Sequence, residues 1–235
     1  MHHNPRNAKA FIVLMATVGI ASILFGLMQT SSWHPYRTFA LFVIAAAASR
    51  MKIRLPGLSG NMSVNLPFLL LAVTELNLIE GIVVCGASAV VQSLPRGWTN
   101  PKFAQTLFNL ATMSLSTTLA WEGFHRGVAA SALLLPFAAA MFFFGQTAPV
   151  ATIIALTGGE PLLKTWKSIA QLTFPYFVLS AGVASILRAA SPTIEWQLSL
   201  LALPIMFSVF CSYQLYLRTE SVTNESLRMA ARAGR

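Results

Sequence analysis

The chain has 235 residues, 55% of them hydrophobic and only 10% charged, with a formal net charge of +9. A soluble domain carries about 25% charged residues, so this composition excludes an ordinary water-facing globule. The cations sit at the ends of apolar runs rather than on one folded face, which excludes a nucleic-acid partner and marks a lipid bilayer as the surrounding medium.

A helix needs about 20 apolar residues to cross the hydrocarbon, and the apolar runs fall in this order. The first candidate crossing is 8–28; it has no small-residue cleavage site behind it and reads as a permanent anchor. The second, 38–53, is short. It is followed by the basic, broken stretch 50–63, with Arg50, Lys52 and Arg54 and the turn formers Pro56, Gly57 and Gly60. The third and fourth share the run 64–94, interrupted by Glu75, Asn77 and Glu80. The second and third are short enough that they must tilt, thin the bilayer, or form a re-entrant pair shielded by protein. Glu75 and Glu80, at a predicted helix end, are expected in a solvated loop. The fifth crossing is 103–121 and the sixth 128–144. Gly145, Gln146, Thr147, Ala148 and Pro149 predict a break there, with 148–156 as a half-helix or a bent continuation. The seventh is 168–187 and the eighth 196–217, before a short basic tail, 218–235.

Placing the first residues inside puts Arg6, Lys9, Arg50, Lys52, Arg54, Arg96, Lys102, Lys164, Lys167, Arg218, Arg228, Arg232 and Arg235 on one side. Those are 13 of the 16 cations, leaving Arg37, Arg126 and Arg188 opposite. Lys and Arg accumulate on the cytoplasmic side because they resist translocation. The expected fold is therefore an all-α polytopic transmembrane helical bundle of seven to eight crossings, both termini cytoplasmic. Residues 1–217 form one membrane domain. Arg50, Lys52, Arg54, Arg96 and Lys102 are topology anchors and candidate docking residues for a protein partner. The glycosylation sequons at Asn61 and Asn224 fall on the inner side and are expected to stay unmodified.

Polar side chains at membrane depth tend to face the bundle interior. Gln105 and Asn109 are four apart and share a face; Thr112 and Ser116 extend that stripe, and Gln146 and Thr147 lie at the expected break. Gln105, Asn109, Thr112, Gln146 and Thr147 are candidates to line a cavity for a small-molecule ligand. The stripe equally fits plain interhelical hydrogen bonding. Cys85 and Cys211 lie in apolar runs, and His2, His3, His34 and His125 form no metal-spaced helical pair. No phosphate loop, nucleophile elbow or metal helix is present. The expectation is a non-enzymatic protein with no catalytic residues, no metal and no cofactor.

Three stretches carry a resemblance: "RLPGLSGNMSVNLPFLLLAV…EGIVVCGASAVVQSL", "FAQTLFNLATMSLSTTLA" and "APVATIIALTGGEPLLKTWKSI…FPYFVLSAGVAS". With "WQLSLLALPIMFSVFCSYQLYL" they resemble the N-terminal membrane sensor domains of bacterial signalling proteins that carry HD-GYP or GGDEF output modules. The likeness spans most of 36–217, through Leu107, Phe108 and Asn109 and through Ala155, Leu156 and Thr157. It implies a multi-pass protein of a bacterial inner membrane and a sensor-like or accessory subunit; with too few residues after 217 for an output module, that subunit would act through a separate partner. The Pro/Gly loop followed by a helix with Gly81 and Gly86 is also similar, over roughly 50–120, to the substrate-binding subunits of energy-coupling-factor transporters. That likeness implies a small-molecule-binding subunit. A third expectation is a structural subunit of a larger membrane complex.

Overall fold

A computed structural model of the protein describes residues 5–29, 32–54, 61–94, 103–127 and 131–190, with 204, 207, 208, 211 and 212. Among them are seven helices: α1 (Pro5–Met28), α2 (Pro35–Ser49), α3 (Leu66–Glu75), α4 (Leu78–Ser93), α5 (Phe103–His125), α6 (Ser131–Gly158) and α7 (Leu162–Ala190). The helical bundle is as expected, with one addition. Between α2 and α3 two three-residue strands, β1 (Lys52–Arg54) and β2 (Asn61–Ser63), form an antiparallel ribbon pairing Lys52 with Ser63, Ile53 with Met62 and Arg54 with Asn61. The ladder lets a basic connection satisfy its own backbone groups.

Three helices are long and apolar enough to cross a membrane, over Arg6–Met28, Leu133–Gly158 and Leu162–Ala189. At 1.5 Å per residue, α2 and α4 are only about 22 and 24 Å long, and the ten-residue α3 about 15 Å, half of a hydrocarbon core of about 30 Å. The expected eighth crossing and the basic tail lie largely outside the described residues; Pro204, Phe207, Ser208, Cys211 and Ser212 are helical.

The half-helix α3 is the centre of the molecule. Every residue from Leu66 to Thr74 is buried, and α2, α4, α5, α6 and α7 all pack against it. Its side chains Phe68, Leu69, Leu70, Ala72 and Val73 join Leu41, Ile44, Val84, Cys85, Met113, Phe142, Phe143 and Phe177 in one core. A short helix with an apolar side chain on every face has this one stable solution: complete enclosure. Of the alternatives open for the short third helix, protein shielding is the one observed. α1 is the outlying helix, held through Met15 against Phe108 and Ala111.

The α3–α4 corner, residues 75–78, defines one end of the bundle, where α1, α5 and α7 also finish; the starts of α5 and α7 mark the other. The expected break in the sixth helix is absent. α6 runs unbroken from Ser131 to Gly158 with Pro136 and Pro149 inside it. Gly145 is needed for a close crossing instead: a Cβ there would lie 2.9 Å from Ser116 Cα on α5. Neighbouring helices and polar side chains hold this segment helical despite the N–H that Pro149 lacks.

Candidate functional site

The sequence-predicted ligand residues stand on α5 and α6. Gln105 is exposed near the start of α5. Asn109 Nδ2 donates to Ser93 Oγ on α4 (3.0 Å), and Ser93 Oγ in turn donates to the Ala89 carbonyl (2.7 Å). Ser116 Oγ donates to the Thr112 carbonyl (2.7 Å), while the buried Thr112 Oγ1 has no protein partner. On α6, Gln146 is half-buried, and Thr147 is buried, donating to the Phe143 carbonyl (2.7 Å) and accepting from Trp166 Nε1 (3.2 Å). Asn109 and Thr147 are thus fasteners between helices, the outcome that interhelical hydrogen bonding predicts. Of the docking candidates, Arg50 is exposed at the C-cap of α2, and Lys52 and Arg54 lie in β1. Arg96 and Lys102 lie outside the described residues.

Two polar clusters bracket α3. At its start, Tyr176 Oη donates to the Ser63 carbonyl (3.0 Å) and accepts the Leu66 N–H (3.1 Å), so it takes one of the orphan donors of the α3 N-terminus. Ser63 Oγ donates to Asn65 Oδ1 (2.7 Å), Asn65 Nδ2 to Ser49 Oγ (2.8 Å), and Ser49 Oγ to the Ala45 carbonyl (2.7 Å). This chain is buried and closed. Tyr176 stands midway along α7, about 21 Å from each end, so α3 begins near the middle of the bundle's depth.

At its finish, Arg188 of α7 donates through Nη1 to the Thr74 carbonyl (3.2 Å) and lies 3.5 Å from Glu75 Oε1. Its guanidinium sits 4.4 Å above the Phe124 ring, a favourable cation–π arrangement. Trp121 Nε1 donates to the Leu76 carbonyl (3.1 Å) and stacks on His125 at 4.3 Å. Glu122 pairs with Arg126 at 3.1 Å.

Glu80 overturns the expectation of a solvated loop: it is 0% exposed. It is the third residue of α4 and closes a capping box with Asn77, whose Oδ1 accepts the Glu80 N–H (3.0 Å) while Glu80 Oε2 accepts the Asn77 N–H (3.4 Å). The α1–α2 connection then covers it. The His34 N–H donates to Glu80 Oε1 (2.5 Å), His34 Nδ1 lies 3.6 Å from Oε2, and Asn77 Nδ2 donates to the Ser32 carbonyl. The His34 and Asn77 N–H groups thus both meet the Glu80 carboxyl oxygens at the N-terminus of α4.

Tyr176, Arg188, Trp121 and His34 were not singled out by pattern. The one sequence signal was the Asn-x-x-Glu spacing of residues 77–80, a capping-box signature. Among the described residues no three of His, Cys, Asp and Glu gather as a metal-binding group. Comparison with protein-family models, curated proteins and solved structures finds no match.

Proposed function

We propose that the chain is a multi-pass protein of a bacterial inner membrane, a non-enzymatic sensor-like or accessory subunit acting through a separate protein partner. The observation that supports this reading is the strapping of α3 to α7 at both ends. Tyr176 and Arg188 are twelve residues apart, a rise of about 18 Å that matches the roughly 15 Å of α3. The two helices run parallel from mid-bundle to the corner. A displacement of the corner therefore draws α7 with it, and α7 continues to the opposite end of the bundle. There Lys164 and Lys167 are exposed in its first turns. In this reading the corner faces outward and receives the stimulus. The basic end faces the cytoplasm, where positive charge accumulates, and meets an acidic surface of the partner.

The test is gentle extraction from native membranes followed by intact mass spectrometry of the assembly. A co-purifying cytoplasmic signalling enzyme, released by Lys164→Glu with Lys167→Glu, is the expected outcome. A co-purifying ATPase with a small molecule lost on Gln105→Ala or Asn109→Ala would replace the sensor by a transporter subunit. A large permanent membrane complex would make it a structural subunit.

A further inference from the structure

We propose that the His34–Glu80 contact is a proton-responsive latch, in which protonation of the His34 imidazole tightens the hold of the α1–α2 connection on the α3–α4 corner. The inference deepens the sensor reading by naming external acidity as the stimulus, and to that extent rests on it. Glu80 has no exposed surface, so its charge depends on groups the fold supplies. Among these are the His34 N–H, the Asn77 N–H and the N-terminus of α4. The His34 side chain is 45% exposed and its Nδ1 lies 3.6 Å from Glu80 Oε2, so a proton from solvent can reach it. Histidine is the side chain that changes charge between pH 5 and 8. On protonation, the contact with the carboxylate becomes a charge-assisted ion pair.

The other ionisable groups at this end leave the pairing distinct. α1 carries none from residue 10 onward. α2 contributes Arg37, one turn in. α3 contributes Glu75, which pairs with Arg188 of α7. α5 contributes Glu122 and Arg126, which pair with each other, and His125, bonded to the Trp121 carbonyl. Among the described residues His34 is the imidazole that faces Glu80. The consequence is mechanical. The connection that ends α1 and begins α2 is fastened most strongly in acid, at the corner that α7 grips through Arg188.

The test is hydrogen–deuterium exchange of the whole protein in lipid nanodiscs. It is read at the peptide holding Ser32, Trp33 and His34, with a peptide from α3 as reference. Rates are corrected for intrinsic exchange at each pH. Protection of the connection is expected to rise about two- to five-fold on acidification through the imidazole range, the span of a weak, part-exposed ion pair. His34→Gln keeps the backbone N–H and should lose this dependence; Glu80→Gln should lose it too. If Glu80→Gln fails to fold, His34→Gln, altered at a half-exposed side chain, still decides the matter. A flat wild-type profile, or a pH dependence unchanged in His34→Gln, would overturn the latch. Neither result involves a partner, so the sensor reading stands or falls separately on the native assembly.

Discussion

The hydroxyl of Tyr176 does what no other atom near it does: it joins a helix that starts at mid-depth to one that runs the length of the bundle. Removing it in Tyr176→Phe leaves the buried Leu66 N–H and the Ser63 carbonyl without that partner. An unsatisfied buried donor costs about 1–3 kcal/mol, and the ring itself still fills its site. Thermal unfolding in detergent should show a clear drop for Tyr176→Phe and little change for Tyr36→Phe, whose ring is exposed at the start of α2. Trp121→Phe belongs to the same class, because it strips the donor from the Leu76 carbonyl; a loss of about 0.5–1.5 kcal/mol is expected in the same measurement. Residue by residue, the sequence told polarity but not partners. Gln105, Asn109 and Thr112 share a stripe on α5, yet depth and neighbours sent Gln105 to the surface and Asn109 to Ser93. Glu80 carries a capping spacing visible at residues 77–80. Its burial comes from the α1–α2 connection, forty-six residues away along the chain, and no local pattern reports such a cover.

At the scale of elements, helix crossings here are set by missing side chains. A Cβ on Gly19 would lie 2.7 Å from Ala111 Cα and one on Gly145 2.9 Å from Ser116 Cα, both backbone atoms that cannot swing aside. Small residues allow this approach between helices in lipid, where there is no water to drive the association. Gly19→Ala and Gly145→Ala should each cost about 1–3 kcal/mol, the usual toll of overpacking. Gly182→Ala meets nothing within 4 Å and should be neutral or stabilising by up to about 1 kcal/mol through helix propensity. The three variants can be ranked by unfolding midpoint in one detergent series, and an equal effect of all three would refute close crossing as the reason for glycine. The same contacts explain where element boundaries were legible. Hydropathy located the seven helices among the described residues, though it ended the sixth run at 144 where α6 continues to Gly158. The apparent break at 145–149 was read from Gly and Pro as local punctuation. Its helicity is instead decided by α5 on one side and by Trp166 of α7 on the other, contacts that lie outside any window of sequence.

At the scale of the whole molecule, the two ends of the bundle differ in charge and in kind. The corner end carries paired charges, Glu75 with Arg188 and Glu122 with Arg126. The opposite end, where α7 begins, exposes Lys167, with Lys164 paired to Glu160 at 3.1 Å across one turn. If translocation sorts Lys and Arg as it does elsewhere, the end where α7 begins is cytoplasmic and the corner end outside. The orientation can be read with single cysteines in a Cys211→Ser background, since Cys85 is fully buried. Ser32→Cys, at the exposed connection beside Glu80, should react with a membrane-impermeant maleimide in intact spheroplasts. Lys167→Cys, exposed near the start of α7, should react only after the membrane is permeabilised. The reverse pattern would turn the bundle over. It would place His34 and Glu80 toward the cytoplasm, where pH is held nearly constant, and the latch would then have no external acidity to answer. A protein whose corner faces out has the opposite prospect: the connection most exposed to the medium is also the one that closes over its fully buried carboxylate. The helix leaving that corner, α7, reaches the far end of the bundle without a break.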